Sequence, residues 1–214
     1  MVIGLILTQS RMGNIAFFSS MFVAGGIGLI LFRRTSRAVV LLFSSLIIVD
    51  IFLMGSFFGI DKLQQRIEAT DIQTDVHPEV ALLSLEGIKD NPLFGTGPGT
   101  YYTSFPRYRD DTVNLFYLHT HNDYLEFTSN LGFLGVLPLA LLLVHAFYTA
   151  LWVQVSRRET LMRAMGFSAT MGIISISLHS LTDFNLQIFA NAATFMFILA
   201  LPYLAISINR RSTH

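Results

Sequence analysis

The chain has 214 residues, of which 52% are hydrophobic and only 13% charged, and its mean hydropathy is +0.56. Soluble domains carry roughly 25% charged side chains, so this composition excludes an ordinary water-solvated globule and points to lipid as the solvent. Zero net charge excludes a basic nucleic-acid-binding surface, and the absence of cysteine excludes disulfides and thiol chemistry.

In chain order, residues 1–7 are apolar but lack the basic n-region and cleavage site of a signal peptide. They read as the tail of an earlier membrane helix, so the chain is expected to be the C-terminal piece of something larger. Ser10-Arg11 precedes a first apolar stretch, residues 12–32, long enough to cross a bilayer, which takes about 20 residues. Within it Ser20, Ala24 and Gly28 recur every fourth residue, placing small side chains on one helix face for close packing. A connector at 33–37 carries Arg33, Arg34 and Arg37, and a second stretch follows at 38–58 with Asp50 inside it.

A long polar segment, 59–130, interrupts the series. It holds Arg66, then a surface helix over 78–89 with Val80, Leu82, Leu83, Leu85 and Ile88 on a helical spacing, ended by Asn91-Pro92. Gly95-Thr-Gly97-Pro-Gly99 follows. Alternating glycines beside a proline predict a tight turn whose exposed backbone either serves structure or approaches a ligand. It matches neither phosphate-loop signature, since the Lys-Ser/Thr pair is absent and the third glycine is misplaced for a dinucleotide fold. Arg107 and Arg109 add positive charge before His119-Thr-His121-Asn122-Asp123-Tyr-Leu-Glu126.

Three further spans are predicted at 131–153, 162–181 and 187–208, with Pro138 and Pro202 as kinks and His145 mid-membrane. The expected architecture is therefore all-α and integral to the membrane: a single domain, 1–214, of five transmembrane helices with one large loop. Arg33, Arg34, Arg37, then Arg157, Arg158, Arg163, then Arg210 and Arg211 fall on one side if all five stretches cross. The positive-inside rule makes that side cytoplasmic. The loop 59–130, Arg11 and the 182–186 turn are then extracytoplasmic, together with His77, His119, His121 and His179.

Chemistry is therefore expected outside. A histidine there can exchange a proton near neutral pH, and Asp123 or Glu126 could orient it. The His119-x-His121 spacing also admits a metal, with His77 or Asp123 completing the shell, and a purely structural role stays open. Arg11 at the interface can grip a phosphate through two parallel hydrogen bonds or simply snorkel to the lipid headgroups. His179 and Asp183 share a face if the helix continues between them. Asp50 and His145 are intramembrane ionisable groups, read as buried polar contacts rather than catalysts.

These pieces together resemble the C-terminal part of the bacterial O-antigen ligase and polymerase superfamily, a larger GT-C-like bundle. Ser10-Arg11-Met-Gly13 looks like its Ser-Arg-Gly junction with one residue inserted. Asn91-Pro-Leu-Phe-Gly95-Thr-Gly97-Pro-Gly99 resembles its Pro-Leu-x-Gly-x-Gly segment. His121-Asn122, nine residues, then Gly132-Phe-Leu-Gly135 matches its most specific signature, and His179-Ser-Leu-Thr-Asp183-Phe-Asn185 is similar to a late motif. Where members often carry an Arg before the surface helix, this chain has His77-Pro78, so Arg66 or Arg107 would have to substitute.

The resemblance implies a metal-independent, inverting glycosyltransferase of the bacterial cytoplasmic membrane, requiring no cofactor. Its donor would be a polyprenyl-diphosphate-linked glycan and its acceptor a hydroxyl of a glycan, a lipid A core or a protein. The implied roles are His121 as base, with Asn122 or Asp123 holding its ring and His119 as the other candidate base. Arg11, Arg66 or Arg107 would contact the diphosphate, while Gly97, Gly99, His179 and Asp183 would line the sugar or acceptor side. The competing expectations are a non-catalytic scaffold or transporter subunit, or an inactive relative. A transporter would place its working charges at mid-membrane in broken helices, whereas here they gather at the interface.

Overall fold

The computed structural model describes residues 11–31, 44–45, 48, 77–109 and 117–208. Six α-helices are described: α1 (Arg11–Leu31), α2 (His77–Asp90), α3 (Tyr101–Ser104), α4 (Asp123–Ser156), α5 (Thr160–His179) and α6 (Phe189–Ser207). Short 3-10 turns occupy Phe105–Arg107 and Asn185–Gln187. Four helices, α1, α4, α5 and α6, are long and apolar enough to cross a membrane. The expected second span, 38–58 with Asp50, lies outside the described residues, as do Arg66 and the Arg33–Arg37 and Arg210–Arg211 clusters.

The spans pack through small residues and a few polar contacts, as lipid demands where burial of apolar surface gives no drive between helices. On α1 the stripe Ala16, Ser20, Ala24, Gly28 is buried, and α1 lies against α5. Gly166 of α5 comes so close to α4 that a Cβ there would sit 2.8 Å from the Ala150 carbonyl oxygen. Gly172 likewise admits Ile198 of α6. Around these contacts Ala146, Ile173, Phe195 and Leu199 form the shared core of α4, α5 and α6. Gln154 Nε2 donates to Thr170 Oγ1 (2.8 Å), and His145 Nδ1 pairs with the Tyr203 hydroxyl at 2.6 Å. His145 is thus held by a polar contact between spans as expected, but its side chain is exposed rather than buried.

The two ends of the bundle differ in chemistry. At one end Val153, Met162 and Ala205 join the three helices, and the Arg157 guanidinium donates to the Ile206 carbonyl. Arg157, Arg158 and Arg163 therefore mark one end. At the other, the start of α4 meets the 180–188 connection between α5 and α6, where the Asp123 N–H donates to the Ser180 carbonyl at 3.0 Å. His119, His121 and His179 lie in the segments of this second end.

α4 carries a break at Gly132, ahead of the proline at 138. The helix begins at Asp123, eight residues before the expected span, and its dihedral break falls at Gly132 (φ 63°, ψ 177°). Proline deletes a single N–H, whereas this glycine reverses the backbone and frees groups on both sides of itself. The Pro92–Gly97 loop satisfies them. The N–H groups of Thr96 and Gly97 donate to the carbonyls of Ser129 and Asn130, both at 2.9 Å. In return Phe133 and Leu134 donate to the carbonyls of Pro92 and Leu93 at 2.8 and 3.1 Å. Backbone this close leaves no room for side chains: a Cβ on Gly95 would lie 2.6 Å from the Asn130 carbonyl, and one on Gly132 2.3 Å from the Leu93 oxygen. Two motifs 37 residues apart, at Gly95 and Gly132, are thus one interlocked unit.

α2 and α3 cover this unit. Val80, Tyr101 and Phe105 form their core, with Tyr101 and Phe105 stacked at 5.1 Å, and Ser84 bonds both the Val80 carbonyl and the Tyr101 hydroxyl. Leu93, Phe94, Phe133 and Leu134 remain exposed together beside the start of the membrane-crossing helix.

Gly132→Ala meets both a left-handed φ and the Leu93 carbonyl, so it is expected to destabilise the protein by more than about 2 kcal/mol. Gly99 has a similar φ of 70° with nothing within 4 Å of its Cβ position, so Gly99→Ala is expected to cost only about 1 kcal/mol. Thermal unfolding of the two variants in nanodiscs measures the difference.

Candidate functional site

The site is assembled by a cap. Asn122 is the N-cap of α4: its Oδ1 accepts from the Leu125 N–H (3.1 Å) while its Nδ2 donates to the Leu181 carbonyl (2.9 Å). Asp123, 1% exposed, accepts on Oδ2 from the Ser180 hydroxyl at 2.7 Å and the Leu186 N–H at 3.0 Å. These bonds offset part of the desolvation of a buried carboxylate. They also fasten the start of α4 to the connection following α5. Thr120 completes the approach, its hydroxyl donating to the Asn122 carbonyl and accepting from the Asn122 N–H. Between them His121 adopts a left-handed φ of 55°, the sole positive φ at a non-glycine among the described residues.

This geometry brings three imidazoles and two carboxylates together, two of the imidazoles against one aromatic ring. His119 stacks on Phe184 at 4.5 Å and His121 meets the same ring edge-on at 4.9 Å. His119 Nδ1 lies 2.7 Å from Glu126 Oε1, whose second oxygen accepts from the Thr120 N–H. His121 Nδ1 lies 3.9 Å from Asp183 Oδ1, and His179 Nε2 lies 3.5 Å from Asp183 Oδ2. The α5 helix ends at His179, so this last pair forms across a turn rather than along a helix face. His119 and His121 are each one-third exposed and Glu126 is almost fully buried.

The α2–α3 unit reaches the same cluster through Tyr101. Burial is the main cause that pushes its phenol above the ordinary tyrosine value, and the negative charge of Glu126 adds to the rise. Tyr101 therefore lies within electrostatic reach of the Glu126–His119 pair.

The residues expected to form the site divide by place. His119, His121, His179 and Asp183 come together. Asn122 and Asp123 adjoin them: Asn122 caps its own helix and donates to the Leu181 carbonyl, Asp123 accepts from Ser180 and Leu186, and the Asp183 carboxylate lies 3.9 Å from the His121 ring. An N-cap side chain such as that of Asn122 turns toward the helix it opens. The Gly97 N–H is committed to Asn130, and Gly99 stands in open space on the same turn. Arg107 is exposed on its 3-10 turn beside Tyr108, whose hydroxyl donates to Asp90. Arg11 opens α1, but its side chain lies outside the described part, as do Arg66 and the His77 side chain. Among the described residues no group of three His, Asp or Glu is arranged to hold a metal ion. Phe184, Thr120 and Ser180 went unnoticed in the sequence. Phe184 and Ser180 stand inside the His179–Asn185 motif and Thr120 between the two histidines, but nothing local marks their partners.

Fold and site together define a polytopic helical membrane protein with a histidine–carboxylate cluster at one end of its bundle. The family model described as O-antigen ligase matches residues 1–140, and the chain belongs to that family. The match contains the Gly95–Gly99 turn, the His119–Glu126 cluster and the Gly132 break; His179 and Asp183 follow it. No curated protein and no solved structure matches the chain.

Asp123→Ala would leave the buried Ser180 hydroxyl and the Leu186 N–H without their acceptor, at an expected cost of about 2–4 kcal/mol. Asp123→Asn keeps an acceptor oxygen and should lose markedly less. Equilibrium unfolding monitored by tryptophan fluorescence distinguishes the two, since Trp152 is the chain's one tryptophan.

Proposed function

We propose that this protein transfers a glycan from a polyprenyl-diphosphate carrier to a hydroxyl acceptor at the outer face of the bacterial cytoplasmic membrane. The observation that carries the reading is the convergence of His119, His121, His179, Glu126 and Asp183 at the bundle end opposite Arg157, Arg158 and Arg163. The positive-inside rule assigns the arginine end to the cytoplasm, which leaves the histidines on the side where a lipid-linked glycan would be presented. Family membership supports the same class of substrate.

Such a transfer joins the acceptor oxygen to the anomeric carbon as the bond from that carbon to the diphosphate oxygen breaks, with inversion. The acceptor's proton passes to a base, and His121 is assigned to it. Its ring is one-third exposed and has Asp183 beside Nδ1, so a positive charge formed on the imidazole meets a carboxylate. The departing diphosphate needs positive charge, for which Arg11 is the first assignment and Arg66 and Arg107 the alternatives. Imidazole and guanidinium groups carry the chemistry in this reading. The exposed apolar residues Leu93, Phe94, Phe133 and Leu134 offer the prenyl tail and the surrounding lipids a surface beside the site.

His121→Ala should lower glycan transfer in membranes by about 100-fold or more, and Asp183→Asn by less; transfer at the wild-type rate in the alanine variant would end the base assignment. The cysteine-free sequence also permits a clean test of sidedness. Thr182→Cys should react with a membrane-impermeant maleimide on intact spheroplasts, and Arg158→Cys only after permeabilisation. The reverse pattern would place the histidines in the cytoplasm.

A further inference from the structure

His119 and His121 flank the same Phe184 ring, yet the protein holds them differently. The His121 ring has a long approach, 3.9 Å, to Asp183, which is 38% exposed and is shared with His179. The His119 ring makes a 2.7 Å bond to Glu126, whose side chain is 3% exposed. That carboxylate is fixed in turn by the Thr120 N–H and sits in the first turn of α4, just past the Asn122 cap. Stacking on Phe184 at 4.5 Å fixes the plane of the ring. Glu126 therefore engages Nδ1, and Nε2 is the nitrogen left to serve the site. A carboxylate bonded to one ring nitrogen stabilises positive charge on the whole ring when the other also carries a proton.

A transfer that expels a diphosphate has two ends that want different groups, one to accept a proton and one to meet developing negative charge. We propose that the two imidazoles divide these tasks. His121 takes the acceptor's proton, and His119, held by Glu126, donates a hydrogen bond from Nε2–H to the diphosphate. As the anomeric carbon–oxygen bond breaks, its electron pair stays on the diphosphate oxygen, which the His119 N–H then faces. No proton need leave His119, and the acceptor's proton leaves the site from His121. Glu126 is a positioning residue in this scheme, acting through His119. The assignment rests on the transferase reading above and adds to it a histidine contact for the diphosphate.

The test uses farnesyl diphosphate, a short prenyl diphosphate, titrated into the full chain in nanodiscs. His119→Gln can place an amide N–H near the position of Nε2, whereas His119→Asn reaches only the position of Nδ1 and can bond Glu126 alone. The proposal expects the Gln variant to bind within about threefold of wild type and the Asn variant at least about tenfold more weakly. Glu126→Gln should fall between them, and His121→Ala should bind as wild type does. A merely structural His119 predicts the opposite order, because Asn preserves the bond to Glu126. Equal retention in both variants, equal loss in both, a loss in His121→Ala matching that of His119→Asn, or no binding by the wild-type protein would each overturn the assignment. Glycan transfer by the same wild-type preparation reports separately on the function itself.

Discussion

The site depends on one fastening, the grip of Asn122 and Asp123 on the connection between α5 and α6. Without it the His119–His121 segment and the His179–Asp183 segment would be two loops belonging to different helices. Four hydrogen bonds, two of them accepted by the Asp123 carboxylate, join them within a few residues of every imidazole in the cluster. Because Asp123 is buried, removing the bonds leaves polar groups stranded rather than returned to water. The fastening is therefore stiff, and it explains how loops can hold ring geometry at the membrane surface.

A second constraint sets the depth of the site. The break at Gly132 divides α4 into a short N-terminal arm carrying Glu126 and a membrane-crossing part that follows. A break inside a bilayer-facing helix strands backbone groups that lipid cannot satisfy, and here the Pro92–Gly97 loop supplies the missing partners. The nine-residue interval between Asn122 and Gly132 is thus the length of the arm. One of its ends caps against the α5–α6 connection, and the other interlocks with the glycine loop. The spacing of the motif is a length, measured in helical turns, between two anchoring points.

Much of the bundle was legible in the sequence, because lipid imposes a simple rule: about 20 apolar residues per span. α1, α5 and α6 fall within two residues of their expected limits at both ends, α4 begins eight residues early, and the surface helix 78–89 is α2 with one residue added at each end. The buried stripe on α1 followed from its four-residue spacing. The glycine turn was legible as a turn, since all three glycines take positive φ, but its partner was not. Backbone pairing between residues 92–97 and 129–134 leaves no side-chain signal, and proline drew attention to position 138 instead of 132. The cluster was legible in its members and not in its pairings. Adjacency in sequence suggested Asn122 or Asp123 for the His121 ring, whereas folding brings Asp183 there from the far side of α5 and gives Glu126 to His119. Which carboxylate meets which imidazole is decided by the cap and the turn, both of them tertiary facts.

The central claim is that two segments sixty residues apart form one site, and cross-linking tests it most directly. The cysteine-free chain allows a His121→Cys, Asp183→Cys double variant to be bridged in membranes by a short bis-maleimide and then cleaved by trypsin in the Arg157–Arg158 connection. Side chains whose ends approach within 3.9 Å leave their replacements within reach of such a linker, so the two fragments are expected to stay joined. Fragments that separate, under conditions that bridge a control pair elsewhere in the bundle, would contradict it.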